Sequence, residues 1–173
     1  MTFIDPNTAQ NPTTGLVAPF AWGDDVDGSF NFLRGPKAGC RVTSVTGTAI
    51  GGDTVLPWAT EAFDVNACHD NVTNNSRITV PTDWGGLWYV GANIAFDASA
   101  GTIELVDIVK NAASRIVFAQ SRPSSVAHTV GVSLDTIITM TAGDYFEAWA
   151  TGADTRSTTV TSSFFAFWIA SGV

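Results

Sequence analysis

Ser163-Phe164-Phe165-Ala166-Phe167-Trp168-Ile169-Ala170, three residues from the C-terminus, carries four aromatic side chains within seven positions. A strand sends successive side chains to opposite faces. Phe165, Phe167 and Ile169 then face one way, and Phe164, Ala166 and Trp168 the other. Burying one Phe is worth roughly 1.5–3 kcal/mol, so neither face goes to water cheaply. The outer face of an antiparallel sandwich strand is usually polar. A strand that is apolar on both faces predicts two contacts, the core of its own domain and another copy of the chain.

The stretch Gly86-Leu87-Trp88-Tyr89-Val90-Gly91-Ala92-Asn93-Ile94-Ala95-Phe96 repeats the pattern. Trp88, Val90, Ala92, Ile94 and Phe96 share one face. Tyr89, Gly91, Asn93 and Ala95 share the other, where small residues permit close approach.

The remaining sequence from Cys40 onward alternates in the same way. Strands are expected over Cys40–Thr48, Thr54–Thr60 (with Pro57 marking an edge or kink), Arg77–Val80, Thr102–Lys110, Arg115–Gln120, Val126–Leu134 with an extended continuation, and Tyr145–Ala150. Glu61–Asn75 reads as a loop-rich segment. Eight to ten short strands, punctuated by turn signals every 8–14 residues, predict an all-β sandwich or jelly roll.

Residues 1–18 read as an extended arm that orders on a partner. Residues 19–34 hold the single helix candidate. Trp22, Val26, Phe30 and Leu33 recur on one helical face, Asp24 and Asp25 suit its first turn, and Gly35-Pro36 stops it. The expected organisation is an arm and attachment helix over 1–36 and one domain over 37–173.

Composition narrows the function classes. The 173 residues suit one domain. Only 14% are charged, with 8 Lys and Arg against 16 Asp and Glu and a net charge of −8. An acidic balance argues against nucleic-acid partners. No apolar run is long enough for a membrane-spanning helix. The first residues lack a basic, apolar leader, so Cys40 and Cys68 read as free thiols.

Several pieces, in order over roughly residues 38–171, together resemble the complement C1q / tumour necrosis factor-like jelly roll. Trp58-Ala59-Thr60-Glu61-Ala62-Phe63-Asp64 is similar to its early strand. Pro81 with Gly86–Phe96 is similar to its "P…GxYxxxxxIxF" strand, with Trp88 where Tyr is usual. Ile108-Val109-Lys110-Asn111 resembles its "xxKNG" hairpin, with Ala112 in place of Gly. Leu134 through Ala142-Gly143-Asp144-Tyr145-Phe146 resembles "LxxGDxV", and Ser163–Ile169 resembles the closing "SxFSGFLI" strand. The version with His69-Asp70-Asn71 and Asn74–Pro81 resembles the branch carried by bacteriophage virion proteins. Trp22–Val26 with Phe30–Leu33 resembles short attachment helices of phage structural proteins.

The resemblance implies a homotrimer in which the Gly86–Phe96 strand and the closing strand face the threefold axis. The residues expected at that interface are Tyr89, Gly91, Asn93, Phe164, Phe165, Phe167 and Trp168. Trp22, Val26, Phe30 and Leu33 are expected to contact other virion proteins of a capsid or tail. The function expected is a virion structural protein, a capsid decoration or small spike. The alternative is a tail-tip module that recognises host surface glycans, with Trp84 as the candidate contact. Trp58 and Trp149 are also expected to be incompletely buried.

An enzyme is not expected, and neither is a cofactor or metal centre. Cys68 and His69 are adjacent, and adjacent strand residues point apart, whereas a nucleophile and its base are brought together by the fold. Asp64, His69, Asp70 and Asn71 are expected to cap loop backbone. His128 is expected on an apolar face. Asp53, Asp64, Asp70 and Asp154 are calcium-ligand types without EF-hand spacing. Two histidines are too few for a metal-dependent jelly-roll enzyme.

Overall fold

The computed structural model describes residues 37–98, 102–122 and 128–171. The arm and the helix expected over 1–36, with Trp22, Val26, Phe30 and Leu33, lie outside these residues. Within them the chain forms eleven strands and no helix. They are β1 (Gly39–Ser44), β2 (Thr54–Val55), β3 (Thr60–Val65), β4 (Arg77–Thr79), β5 (Gly86–Ala98), β6 (Glu104–Lys110), β7 (Ser114–Ser121), β8 (His128–Met140), β9 (Tyr145–Thr151), β10 (Thr155–Arg156) and β11 (Ser162–Ala170).

Two antiparallel sheets make the sandwich. The first runs β8-β5-β11-β1-β3, with β10 extending the β11 side of β5. In the second, β2 and β4 pair with one side of β9, and β6 and β7 follow on the other. β5 is central because it pairs along its whole length with β8, from Gly86 opposite Met140 to Ala98 opposite His128. Its other side takes β11, from Asn93 opposite Ser163 to Leu87 opposite Ala170.

The alternation predicted for β5 holds. Trp88, Val90, Ile94 and Phe96 are fully buried between the sheets, and Trp88 meets Phe146 of the facing sheet at a centroid distance of 6.3 Å. From β11 come Phe164, Ala166 and Trp168, and from β9 Phe146, Ala148 and Ala150. At about 1.5–3 kcal/mol per large side chain, this shared interior is the main reason the sheets stay together.

Two segments differ from the sequence reading. Thr54–Thr60 is not one strand: β2 is two residues long, and the chain then turns inward to bury Leu56 and Trp58. Glu61–Asn75 is not all loop, because Thr60–Val65 pairs with β1 as the sheet edge. Its alternation is broken by a bulge opposite Arg41 and Val42, which hides the period of two.

One end of the sandwich is fixed by Asp144. Its carboxylate pairs with Lys110 at 2.7 Å, accepts from the Asn111 amide at 2.8 Å, and takes both the backbone N–H and the hydroxyl of Thr141. Burial alone would raise this carboxyl, but Lys110, Asn111 and Thr141 outweigh it and hold it well below the usual carboxylate range. Asn111 also accepts from the Tyr145 N–H. The β6–β7 and β8–β9 turns are thereby tied together.

The β6–β7 turn carries strain. Asn111 and Ala112 both have φ of 53°, and the Ala113 N–H donates to the Lys110 carbonyl at 3.1 Å, which makes a type I′ turn. Asn tolerates this backbone, but a β-carbon there costs roughly 1–2 kcal/mol. Replacing Ala112 by Gly is therefore expected to stabilise the domain by about 1 kcal/mol, read as a higher urea midpoint with an unchanged m-value; no rise in the midpoint would contradict the turn assignment.

Candidate self-association face

The outer faces of the two sheets differ in kind. On the β9-containing sheet, ion pairs and hydrogen bonds share the face with Phe118, which is 64% exposed in the row of Asp107 and Trp149. Arg77 pairs with Glu147 at 3.1 Å and lies over the Tyr145 ring at 4.1 Å. The Trp149 indole donates to Glu147, and Arg115 bridges Asp53 and Asp107.

The outer face of the β8-β5-β11-β1-β3 sheet is aromatic. Register places Val65, Gly39, Phe167, Tyr89 and Ile137 in one row across five strands. Phe63, Arg41, Phe165, Gly91 and Asp135 form the next row. The rings of Phe63, Phe167, Phe165 and Tyr89 form a continuous chain, with successive centroids 5.6, 5.5 and 5.4 Å apart. Aromatic pairs at such distances add about 0.5–1.5 kcal/mol each beyond burial. The third row, with Thr43, Ser163, Asn93 and Ser133, is polar, so the apolar face ends sharply at Asn93.

Two glycines make room for the rings. A β-carbon on Gly91 would run into the tip of the Phe165 ring, and one on Gly39 would lie 2.9 Å from Phe167 Cδ1 and 2.8 Å from the Ala166 carbonyl oxygen. Phe165 and Phe167 therefore lie low across glycine neighbours and stay half-buried without any partner. What remains uncovered is the surround: Phe63 is 40% exposed, Ile169 43% and Ile137 59%. Tyr89 is anchored at its hydroxyl by Asp135. Burial, and then the charge and hydrogen bond of Asp135, raise the phenol above its usual range.

The expected interface set divides. Tyr89, Gly91, Asn93, Phe165 and Phe167 share the outer face. Phe164 and Trp168 do not: Phe164 is fully buried against Trp58, with ring centroids 5.7 Å apart, and the Trp168 indole donates inward to the Gly85 carbonyl. Alternation separates two sets but does not say which set faces the core. The face also recruits Phe63 and Ile137, which sequence reading missed. Their signal was an apolar residue at the outward position of an otherwise polar strand.

The tryptophans are largely structural. Trp58 is fully buried rather than partly exposed. The expected glycan contact, Trp84, is half-buried and edge-on to Trp168 at 5.0 Å, where it seals a strand end. Trp149 is half-buried on the outer face of the other sheet.

The loop after β3 forms the expected capping network. Asp64 accepts from the Cys68 and His69 N–H groups, and Asp70 from those of Val72 and Thr73. His69 Nδ1 lies 3.0 Å from Glu61 Oε1 and Nε2 3.3 Å from the Asn75 carbonyl, and the Asn71 amide joins at Glu61. The acid that faces His69 is thus Glu61, contributed by strand β3. Burial foremost, then Asp64, push the Cys68 thiol up to about 12, the reverse of nucleophile activation. Cys40 is shifted further in the same direction, again chiefly by burial. Both are free thiols. His128 opens β8 opposite Ala98.

The calcium-type acids sit in separate networks. Asp53 accepts from Thr151 and Arg115, while Asp154 accepts from the Thr102 hydroxyl at 2.6 Å. Beside Asp154, Glu104 is fully buried against Gly152. Burial first, and then Asp154, push its carboxyl up to about 7. No cluster of three or more His, Cys, Asp or Glu suited to a metal ion forms among the described residues.

Comparison with protein-family models and with curated proteins finds no match. Among solved structures, the chain is similar to the globular domain of zebrafish complement 1qA protein. The match has a TM-score of 0.62 at 14% identity and covers 79% of this chain and 100% of that one. This likeness establishes a C1q-like jelly-roll fold.

Two outcomes follow from this geometry. Gly39→Ala meets backbone and is expected to cost about 2 kcal/mol, whereas Gly91→Ala meets a ring tip that swings aside and costs about 1 kcal/mol or less. Denaturation curves of the two variants check the order, and a reversal would contradict the ring placement. For Glu104, a folded pKa above the unfolded value means that stability falls as pH rises from about 4.5 to about 7. Glu104→Gln should remove that slope, as measured by melting temperature against pH; an unchanged slope would exclude Glu104 as its source.

Proposed function

We propose that this chain is a homotrimeric structural protein of a bacteriophage particle, a capsid decoration or small spike, anchored through residues 1–36. The observation that carries the trimer is the aromatic face of the β8-β5-β11-β1-β3 sheet. Large apolar side chains at outward positions of neighbouring strands are the mark of a covered surface. The exterior of the facing sheet mixes ion pairs with separate apolar side chains, Phe118 being 64% exposed and Trp149 half-buried, and forms no continuous chain of rings among the described residues. The virion setting rests on the sequence resemblance to phage structural proteins and on the aromatic stripe Trp22, Val26, Phe30 and Leu33. A trimer matches the local threefold positions of a capsid by symmetry.

A decoration role needs shape and attachment rather than a catalytic group. The described residues favour it over glycan recognition, because the ring of Trp84 is spent on Trp168.

The trimer is tested by light scattering after size-exclusion chromatography. The wild-type protein is expected at three times 18.2 kDa. Phe63→Asp and Ile137→Asp, which alter side chains 40% and 59% exposed in a single chain, are expected to shift it to one copy while the domain stays folded by circular dichroism. A monomeric wild type, or variants that remain trimeric, would overturn the assignment. Imaging of particles from which this chain has been deleted tests the setting: density lost from head or tail surface supports it, and unchanged particles contradict it.

A further inference from the structure

The two aromatic rows of the outer face hold two charged residues, Arg41 and Asp135, and both lie in the row Phe63, Arg41, Phe165, Gly91 and Asp135. Both are exposed. Arg41 is on β1 and Asp135 on β8, with β11 and β5 between them. Three strand spacings of about 4.8 Å put their backbones about 14 Å apart. The Phe165 ring, lying over Gly91, fills the space between. No ion pair among the described residues includes either charge.

Other arginines of the domain are provided for within the chain. Arg77 pairs with Glu147, and Arg115 with Asp53 and Asp107. Arg156, fully buried, donates to the Thr46 and Pro57 carbonyls and the Ser44 hydroxyl. Arg41 instead stands between two phenylalanines, Phe63 and Phe165, on the face with the largest run of rings. Asp135 holds the Tyr89 hydroxyl, but a carboxylate has two oxygens and about four acceptor sites, so a guanidinium can join it.

Each end of the face therefore combines a large exposed apolar side chain with one charge. At the β3 end these are Phe63 and Arg41, and at the β8 end Ile137 and Asp135. Covering the face removes water from both charges, and a charge stripped of water without a counter-charge is among the least favourable arrangements in a protein. Like ends brought together would set cation on cation or acid on acid. Unlike ends match on both counts, apolar to apolar and cation to acid.

We propose that Arg41 of each copy pairs with Asp135 of the next across the covered face, so that this pair sets which ends of the face meet; the pairing rests on the trimer inferred above. Guanidinium and carboxylate form the strongest such pair, through parallel N–H donors.

Charge reversal, read by light scattering after size-exclusion chromatography over a dilution series, tests the pairing. Arg41→Glu and Asp135→Arg are each expected to weaken association by more than about tenfold. The double variant, with the charges exchanged, should recover most of that loss. Both positions are exposed, so circular dichroism should stay that of the wild type. Tyr89→Phe, which removes only the hydroxyl that Asp135 holds in its own chain, should leave association nearly unchanged. A mixture of the two single variants separates three copies from two. Its members satisfy every contact only by alternating, and three copies cannot alternate around a closed ring, so the mixture should assemble less well than the double variant. Single variants that assemble like the wild type, or a double variant no better than the singles, would overturn the pairing and leave the trimer standing. A loss in Tyr89→Phe equal to that in Asp135→Arg would also overturn it, by assigning Asp135 to its own chain. A mixture that matches the double variant would keep the pair but contradict the threefold arrangement. A monomeric wild type would overturn both.

Discussion

A ring can lie flat on a β-sheet only where its cross-strand neighbour has no β-carbon. Gly91 beside Phe165 and Gly39 beside Phe167 meet that constraint on either side of β11, and much else follows from it. The closing strand keeps two apolar faces because the inner one fills the sandwich and the outer one rests on glycines. Its place between β5 and β1 is fixed, because a one-residue slip would send Phe164 and Trp168 outward and put Phe165 and Phe167 in the core. Cross-strand aromatic cover of glycine also pins register. The outer rings are thus partly sheltered within one chain, while Phe63, Ile137 and Ile169 leave an exposed apolar rim.

The fold was legible because its two most informative strands have uninterrupted alternation. Trp88, Val90, Ala92, Ile94 and Phe96 read as one face from the sequence and form one face in the domain. Where alternation fails, reading failed with it. The bulge in β3 breaks the period, and Pro57 drew attention to an edge when the neighbouring Trp58 turns fully inward. Strand ends were legible to within a few residues, since Asn111, Gly143 and Asp144 belong to turns with specific chemistry.

The site was legible in part. Period-two patterning sorts residues into two sets and is silent about which set meets the core, so Phe164 and Trp168 were grouped with Phe165 and Phe167. Phe63 and Ile137 stand alone in polar surroundings and gain meaning only when register brings them into rows with Phe165 and Phe167. Buried charge was not legible at all. Nothing about Arg156 in a Thr-rich stretch, or Glu104 at a strand start, marks either as fully enclosed. Both depend on how distant segments close over them.

Thiol labelling reads directly whether other copies of the chain cover the aromatic face, as we propose. Cys40 and Cys68 are buried, so Ile137→Cys introduces the one accessible thiol of the described residues on a side chain that is 59% exposed in a single copy. Labelling with a maleimide should be slow at high protein concentration and accelerate on dilution below the trimer's dissociation range. Fast labelling at every concentration, with the chain folded, would contradict the account.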